Sequence, residues 1–150
     1  MSPQQPQPVD PPCGTIIYRT IRRKNWFDPD DPSHVKAEAF MRRPPKRDET
    51  GSIIDPMDAD GLSLYDSFHI EARQCIEQEL SCHGLVTLHV GTLRALGLNA
   101  IRDPEDYRKV LITNMPFMNP NDADEERLLD AVADSARIHT HCKWRKPEER

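Results

Sequence analysis

The sequence predicts an α+β fold, a small mixed β-sheet of four or five strands packed by two main helices. Three observations predict it. Residues 15–21 (Thr-Ile-Ile-Tyr-Arg-Thr-Ile) and 85–90 (Leu-Val-Thr-Leu-His-Val) are rich in the β-branched, aromatic and aliphatic residues that suit a pleated surface. Residues 68–80 and 122–138 instead carry apolar side chains near the 3.6-residue helical period. Between them stand short polar stretches punctuated by Gly and Pro, the spacing of one layered domain rather than a repeat array.

Taken in order, residues 1–13 hold prolines and glutamines that cannot bury enough apolar surface to offset the entropy of ordering, so they read as a disordered tail. Order is expected from Gly14, and the domain spans 14–142. In the first strand Ile17, Arg19 and Ile21 alternate with Ile16, Tyr18 and Thr20. Trp26-Phe27 then leads into Asp28-Pro29-Asp30-Asp31-Pro32-Ser33, where the prolines exclude a helix interior and the Asp side chains favour turns. Residues 34–42 suggest a short helix stopped by Pro44-Pro45, and the polar run 46–60 a long loop. Residues 61–65 read as a short strand. A helix over 68–80 follows, capped by Asp66 or Ser67, with Ile70, Ala72, Cys75, Ile76 and Leu80 inward.

Residues 85–90, apolar on both faces and bracketed by Gly84 and Gly91, suit a central strand. Thr92 caps a short helix that Gly97 ends. Residues 98–102 and 109–114 read as strands, and 115–120 as an apolar loop broken by prolines. Asn121 or Asp122 caps a helix running to about Ile138, with Asp124, Glu125 and Glu126 at its positive end and Leu128, Leu129, Val132, Ala133 and Ala136 as its buried stripe. Residues 143–150 form a polar tail.

Composition narrows the function. Of 150 residues 37% are hydrophobic and 30% charged, with 14 prolines, so part of the chain is expected to stay unpacked. No apolar run approaches a membrane span and no signal-peptide pattern opens the chain, which leads to the expectation of a soluble cytoplasmic protein that contacts no membrane. The formal net charge of −5 argues against general nucleic-acid binding. Four cysteines are too few and too scattered for a disulfide scaffold, so reduced thiols are expected.

Three groups of residues carry chemistry. Cys82-His83 and His139-Thr140-His141-Cys142 offer nitrogen and sulfur ligands suited to zinc, although neither the C-x₂-C nor the H-x₃₋₅-H spacing of the usual modules is present; ordinary surface histidines and half-buried thiols are the competing reading. No signature surrounds a catalytic Ser or Cys, and neither the Rossmann nor the P-loop glycine pattern occurs. Two basic groups stand out: Arg19, Arg22, Arg23 and Lys24 beside Trp26-Phe27, and Arg42, Arg43, Lys46 and Arg47 around Pro44-Pro45. Arginines beside aromatics can clamp phosphate and stack a base, whereas the same chains can merely solvate an edge strand.

The order of a strand bearing Tyr18-Arg19, a strand ending Leu64-Tyr65, a helix with Glu71, Glu77 and Glu79, and residues 85–98 resembles the RES-domain toxins over about residues 15–98. These are ADP-ribosyltransferase-like proteins that consume NAD and pair with an antitoxin. The resemblance implies that Arg19 holds the dinucleotide, Tyr65 stacks on it and Glu77 supports the ribose chemistry, with NAD as cofactor or substrate.

The leading expectation is a regulatory or complex-forming protein that acts through a protein partner or a second copy of itself. Its contact residues would be Trp26, Phe27, Met115, Phe117 and Met118, since Met and aromatic side chains favour such surfaces. The NAD-consuming enzyme is the alternative, and a zinc-binding small domain the third.

Overall fold

The computed structural model of the chain describes residues 10–31, 33–78, 82–118, 120 and 122–141. Period-two alternation builds the strands β1 (Ile16–Ile21), β2 (Lys46–Arg47), β3 (Ile53–Asp55), β4 (Leu62–Asp66), β5 (Gly84–His89), β6 (Ala100–Arg102), β7 (Lys109–Ile112) and β8 (Arg137–His141). The helices are α1 (Ala72–Glu77), α2 (Val90–Ala95) and α3 (Ala123–Ser135), with one-turn 3₁₀ helices at Lys24–Trp26 and Ala37–Phe40. Six strands form one sheet in the order β6-β7-β4-β1-β5-β8, while β2 and β3 form a separate hairpin. The fold is α+β, as the sequence indicates.

β1 sits near the middle of the sheet. Ile17 and Tyr18 pair with Asp66 and Tyr65 of β4 on one side, and Ile16 through Ile21 pair with His89 through Gly84 of β5 on the other. The alternation then sorts side chains to two unequal faces. On the larger face Ile17, Ile21, Leu62, Leu64, Val86, Leu88, Val110 and Ile112 pack beneath Ala39 and Phe40, Val90 and Leu93 of α2, and Leu129, Val132 and Ala133 of α3. On the smaller face Tyr18, Tyr65 and Leu85 meet Ile70 and Cys75, with Ala72 and Ile76 of α1 at the margin. A buried aliphatic side chain contributes about 1.5–3 kcal/mol relative to exposure, so the larger face carries most of the stability.

Several expectations need correction. Every pairing in the sheet is antiparallel, not mixed, and it has six strands rather than four or five. The extra strand is β8. The last helix stops at Ser135 because Ala136 turns extended, and residues 137–141, expected to continue the helix and then leave it, pair with β5. Residues 46–55, expected as loop, make the β2-β3 hairpin. Within residues 34–42, expected as a short helix, the helical part is a single 3₁₀ turn at Ala37–Phe40.

The helix expected from 68 starts only at Ala72. Its cap is Glu71, in a reciprocal capping box with Gln74, whose Oε1 accepts the Glu71 N–H at 3.0 Å. Asp66 folds the preceding turn, its Oδ1 accepting the Phe68 N–H at 2.9 Å. Residues Asp10 to Cys13, read as tail, touch the domain. The Cys13 carbonyl accepts the Gly91 N–H at 2.8 Å, and Asp10 Oδ1 accepts the Arg102 N–H at 3.3 Å. Among the described residues no helix is long and apolar enough to cross a membrane.

Candidate functional site, an arginine-lined cleft

Beyond Ile21 the chain leaves the sheet in an excursion that packs back against the larger face through Val35, Ala39 and Phe40. The excursion is pinned at its waist. Trp26 and Phe27 donate their N–H groups to the carbonyls of Arg23 and Lys24, and Lys36 donates to the Trp26 carbonyl at 2.7 Å. Its tip is a pair of Asp turns, with Asp28 Oδ1 accepting the Asp30 N–H at 2.9 Å and Asp31 Oδ1 the Ser33 N–H at 3.1 Å. This folded excursion brings residues 22–26 beside residues 38–43. Arg19, Arg22, Arg23 and Arg43 therefore line one partly enclosed cavity of about 190 Å³, together with Trp26, Glu38, Met41 and Met118.

The arginines differ in how they are held. Arg19 belongs to the buried face of β1 and is only 6% exposed. Its Nε donates to the Ala39 carbonyl at 2.8 Å, Nη1 lies 3.4 Å from the Ser63 carbonyl, and the guanidinium carbon lies 5.7 Å from the centre of the Trp26 ring. Arg43 makes a forked pair with Asp58, Nε to Oδ2 at 3.0 Å and Nη2 to Oδ1 at 3.1 Å, and its backbone N–H adds a third bond to Oδ2 at 2.7 Å. Burial pushes the Asp58 carboxyl up, but these bonds and the charges of Arg43 and Arg19 outweigh it and hold the group below the usual carboxylate range. Arg22 is half-buried and Arg23 exposed at the rim.

Arg42, adjacent in sequence, has a different task. It is buried, and its guanidinium donates from Nε to the Asp58 carbonyl at 3.0 Å, from Nη1 to Thr113 at 2.9 Å and from Nη2 to Ala59 at 2.5 Å. Its plane covers the Phe117 ring at 4.0 Å, and its backbone accepts from Met118 and donates to Pro116. One side chain thus ties residues 58–59 to residues 113–118 and fixes where Phe117 and Met118 emerge.

On the other side of the Lys24–Trp26 turn lies a wider cavity of about 630 Å³, lined by Lys24, Asn25, Phe27, Asp28, Pro29, Lys36 and His141. The Phe27 ring tilts against His141 at 5.1 Å and packs over Gly84, where an added Cβ would stand 2.7 Å from the ring.

The residues named from sequence fall out as follows. Arg19, Tyr65 and Glu77 share no cleft. Arg19 faces Ala39 on the larger face of the sheet, while Tyr65 faces α1 on the smaller one, its Oη donating to Gln78 Oε1 at 3.1 Å and Lys109 Nζ lying 5.5 Å from its ring. Glu77 is exposed and pairs with Arg73 one turn earlier at 3.3 Å. The side of a strand is set by residue parity, so a register that buries Arg19 among carbonyls turns Tyr65 away from it.

The nitrogen and sulfur set does not converge either. Cys82 Sγ donates to the Gly84 carbonyl, His139 stands edge-on to Tyr18 at 5.5 Å, and His141 lies against Phe27 on the opposite face. A bulge in the β5-β8 pairing, which matches Leu85 to Thr140 but Val86 to Ile138, leaves His139 as the extra residue. Burial and the nearby Lys24 hold the His83 imidazole below its ordinary value. Cys142 lies outside the described residues. Among the described residues no group of three or more His, Cys, Asp or Glu is placed to hold a metal ion.

Of the contact residues, Trp26 and Met118 line the arginine cleft, Phe117 flanks it at 37% exposure, and Phe27 lines the neighbouring cavity. Met115 is a correction: it is 1% exposed and belongs to the core, because the Arg42 staple draws the start of the 115–118 segment inward. Sequence reasoning did not reach Glu38 and Met41, nor the meeting of the two basic groups. The available signal was that both groups flank one excursion whose ends return to the same sheet face.

Comparison with protein-family models, curated proteins and solved structures gives no match for this chain.

Proposed function

We propose that the chain is a complex-forming protein that docks a partner on the rim of the arginine cleft and takes an acidic group of that partner between Arg22, Arg23 and Arg43. One observation carries this reading: guanidinium groups, an indole and two methionines line a single concavity, with Phe117 beside it. Arg, Trp, Met and Phe are the residues enriched where protein interfaces form, and arginine forks suit carboxylate and phosphoryl oxygens. Met118 at 49% exposure and Phe117 supply apolar contact around the charged centre. The cavity volume supports a head group on a stem rather than a whole cofactor, since sites that enclose drug-sized molecules run to about 300–1,000 Å³.

A photo-cross-linking residue placed at Met118 in the full-length chain tests the reading. In the native cell it gives a discrete adduct, either with one other protein or at twice the chain's mass for a second copy. The same probe at Ile54, exposed on the β2-β3 hairpin, gives none. The Arg23→Glu variant suppresses the Met118 adduct. Equal labelling from both positions, or an adduct indifferent to Arg23, overturns the proposal.

A further inference from the structure

We infer that the exposed ridge of rings formed by Phe68, His69 and Tyr107 is a docking surface for the proline-rich N-terminal segment of this same chain, residues 3–9. A hydrogen-bonded turn builds the ridge. Asp66 Oδ1 accepts the Phe68 N–H at 2.9 Å, the Asp66 carbonyl accepts the His69 N–H at 3.0 Å, and Asp66 Oδ2 is held by Arg102 Nη1 at 2.6 Å. The same Nη1 donates to the Tyr107 carbonyl at 3.1 Å, so one guanidinium fixes both ends. Along the ridge the Phe68 and His69 rings stand edge to face at 5.0 Å, and those of His69 and Tyr107 at 5.3 Å. Yet Phe68 is 86% exposed and Tyr107 65%, an open display of surface whose burial is favourable.

The chain itself indicates what covers it. Asp10, Pro12, Phe68 and His69 line one cavity of about 590 Å³, and Asp10 Oδ1 accepts the Arg102 N–H at 3.3 Å, so the first described residues lie against the base of the ridge. Upstream stand Met-Ser-Pro-Gln-Gln-Pro-Gln-Pro-Val, nine residues without a charged side chain. Prolines at 3, 6, 8, 11 and 12 fix their own φ and restrict the residue before each to extended or polyproline II geometry, in which positions three apart share a face. Sorted that way, Pro3, Pro6, Val9 and Pro12 form a wholly apolar strip, while Gln4, Gln7 and Asp10 form a polar one. Pro12, the last member of the apolar strip, is the one that lines the cavity with Phe68 and His69.

Aromatic-lined surfaces are what polyproline II segments dock on, because the preformed helix loses little entropy when it binds. A tether this short holds the segment at an effective concentration on the order of millimolar, which favours the chain's own prolines over those of a second copy.

The purified full-length chain with p-benzoylphenylalanine in place of Tyr107 tests the inference. Irradiated in dilute solution, it is expected to form an internal cross-link at the mass of a single chain, mapped by peptide mass spectrometry to residues 1–9. A tethered segment can also collide with its neighbours without docking, so the strip itself is then broken. Pro3→Ser/Pro6→Ser/Val9→Ser is expected to lose the cross-link, and Gln4→Ser/Gln7→Ser to keep it. Phe68→Ser is expected to lose it too, with thermal unfolding unchanged because the side chain it removes is exposed.

Equal cross-linking by both tail variants is proximity alone and overturns the inference. An adduct at twice the chain's mass overturns it in favour of a second copy, and a cross-link that never reaches residues 1–9 removes this occupant from the ridge.

Discussion

Arg42 and Arg23 both belong to basic runs that look alike in sequence, yet the fold uses them in opposite ways. Arg42 lies within a lattice of carbonyl oxygens, where burial lowers the pKa of its guanidinium against the pull of Asp58 and Asp60. Arg23 stands at the rim of a cleft. The lesson concerns carbonyls: an arginine becomes structural where loops leave their backbone acceptors unmatched and buried, and becomes a contact residue where helices and strands have already satisfied them. Arg19 is intermediate, held at Nε yet lining the cleft.

The largest break in this comparison is expected from Arg42→Met. It strands the carbonyls of Asp58, Ala59 and Thr113 and removes the contact with Phe117, so chemical denaturation is expected to show a loss of about 3–5 kcal/mol. Arg42→Lys recovers little of this, because one ammonium cannot span both loops. Arg19→Met is the intermediate case, with a loss of about 1–3 kcal/mol on leaving the buried Ala39 carbonyl without its donor.

Asp58 gives a pH-dependent version. Its folded carboxyl titrates below the unfolded value of about 3.9, so its contribution is present above that pH and is lost as pH falls through the folded value. Acid unfolding curves for Asp58→Asn are expected to lie below the parent at neutral pH and to converge with it in strong acid. The smallest stability effect is Arg23→Gln, within about 0.5 kcal/mol, in a variant that nonetheless loses the Met118 adduct. A large stability loss at Arg23, or none at Arg42, dissolves the distinction.

What could be read from sequence follows the strength of periodic patterning. β1, β4 and β5 are visible because apolar residues alternate at Ile17 and Ile21, at Leu62 and Leu64, and at Val86 and Leu88. α3 is visible because Leu129, Val132 and Ala133 lie on one stripe beneath an Asp122 cap, whose side chain accepts the Glu125 N–H at 2.8 Å. β8 escapes since residues 137–141 contain a single aliphatic, Ile138, and prolong the helical pattern before them. The β2-β3 hairpin is polar and exposed, held by its turn rather than by a core: Asp48 Oδ1 accepts from the Thr50 and Ser52 N–H groups.

The cleft was half legible. Its arginines and Trp26 were visible as two basic clusters, but their meeting depends on the path of residues 27–37, where Asp turns and a lone Phe27–Val35 bridge decide the return. No periodicity encodes that. The Arg19, Tyr65 and Glu77 grouping failed for the complementary reason. Order along a chain says nothing of parity across a sheet, and only the Tyr18–Tyr65 pairing shows which way Arg19 points.

The central position of β1 also bears on synthesis. Ile17 must wait for Asp66 to be translated before one of its flanks is bridged, and for Leu88 before the other is. Until then the isoleucine-rich ribbon is an open template on one edge or both, attractive to any other nascent strand, and closure of such distant pairs is slow. Emerging chains of this protein should therefore depend on holdase chaperones over roughly the first half of translation, and crowded overexpression should drive them into inclusion bodies before the sheet can close.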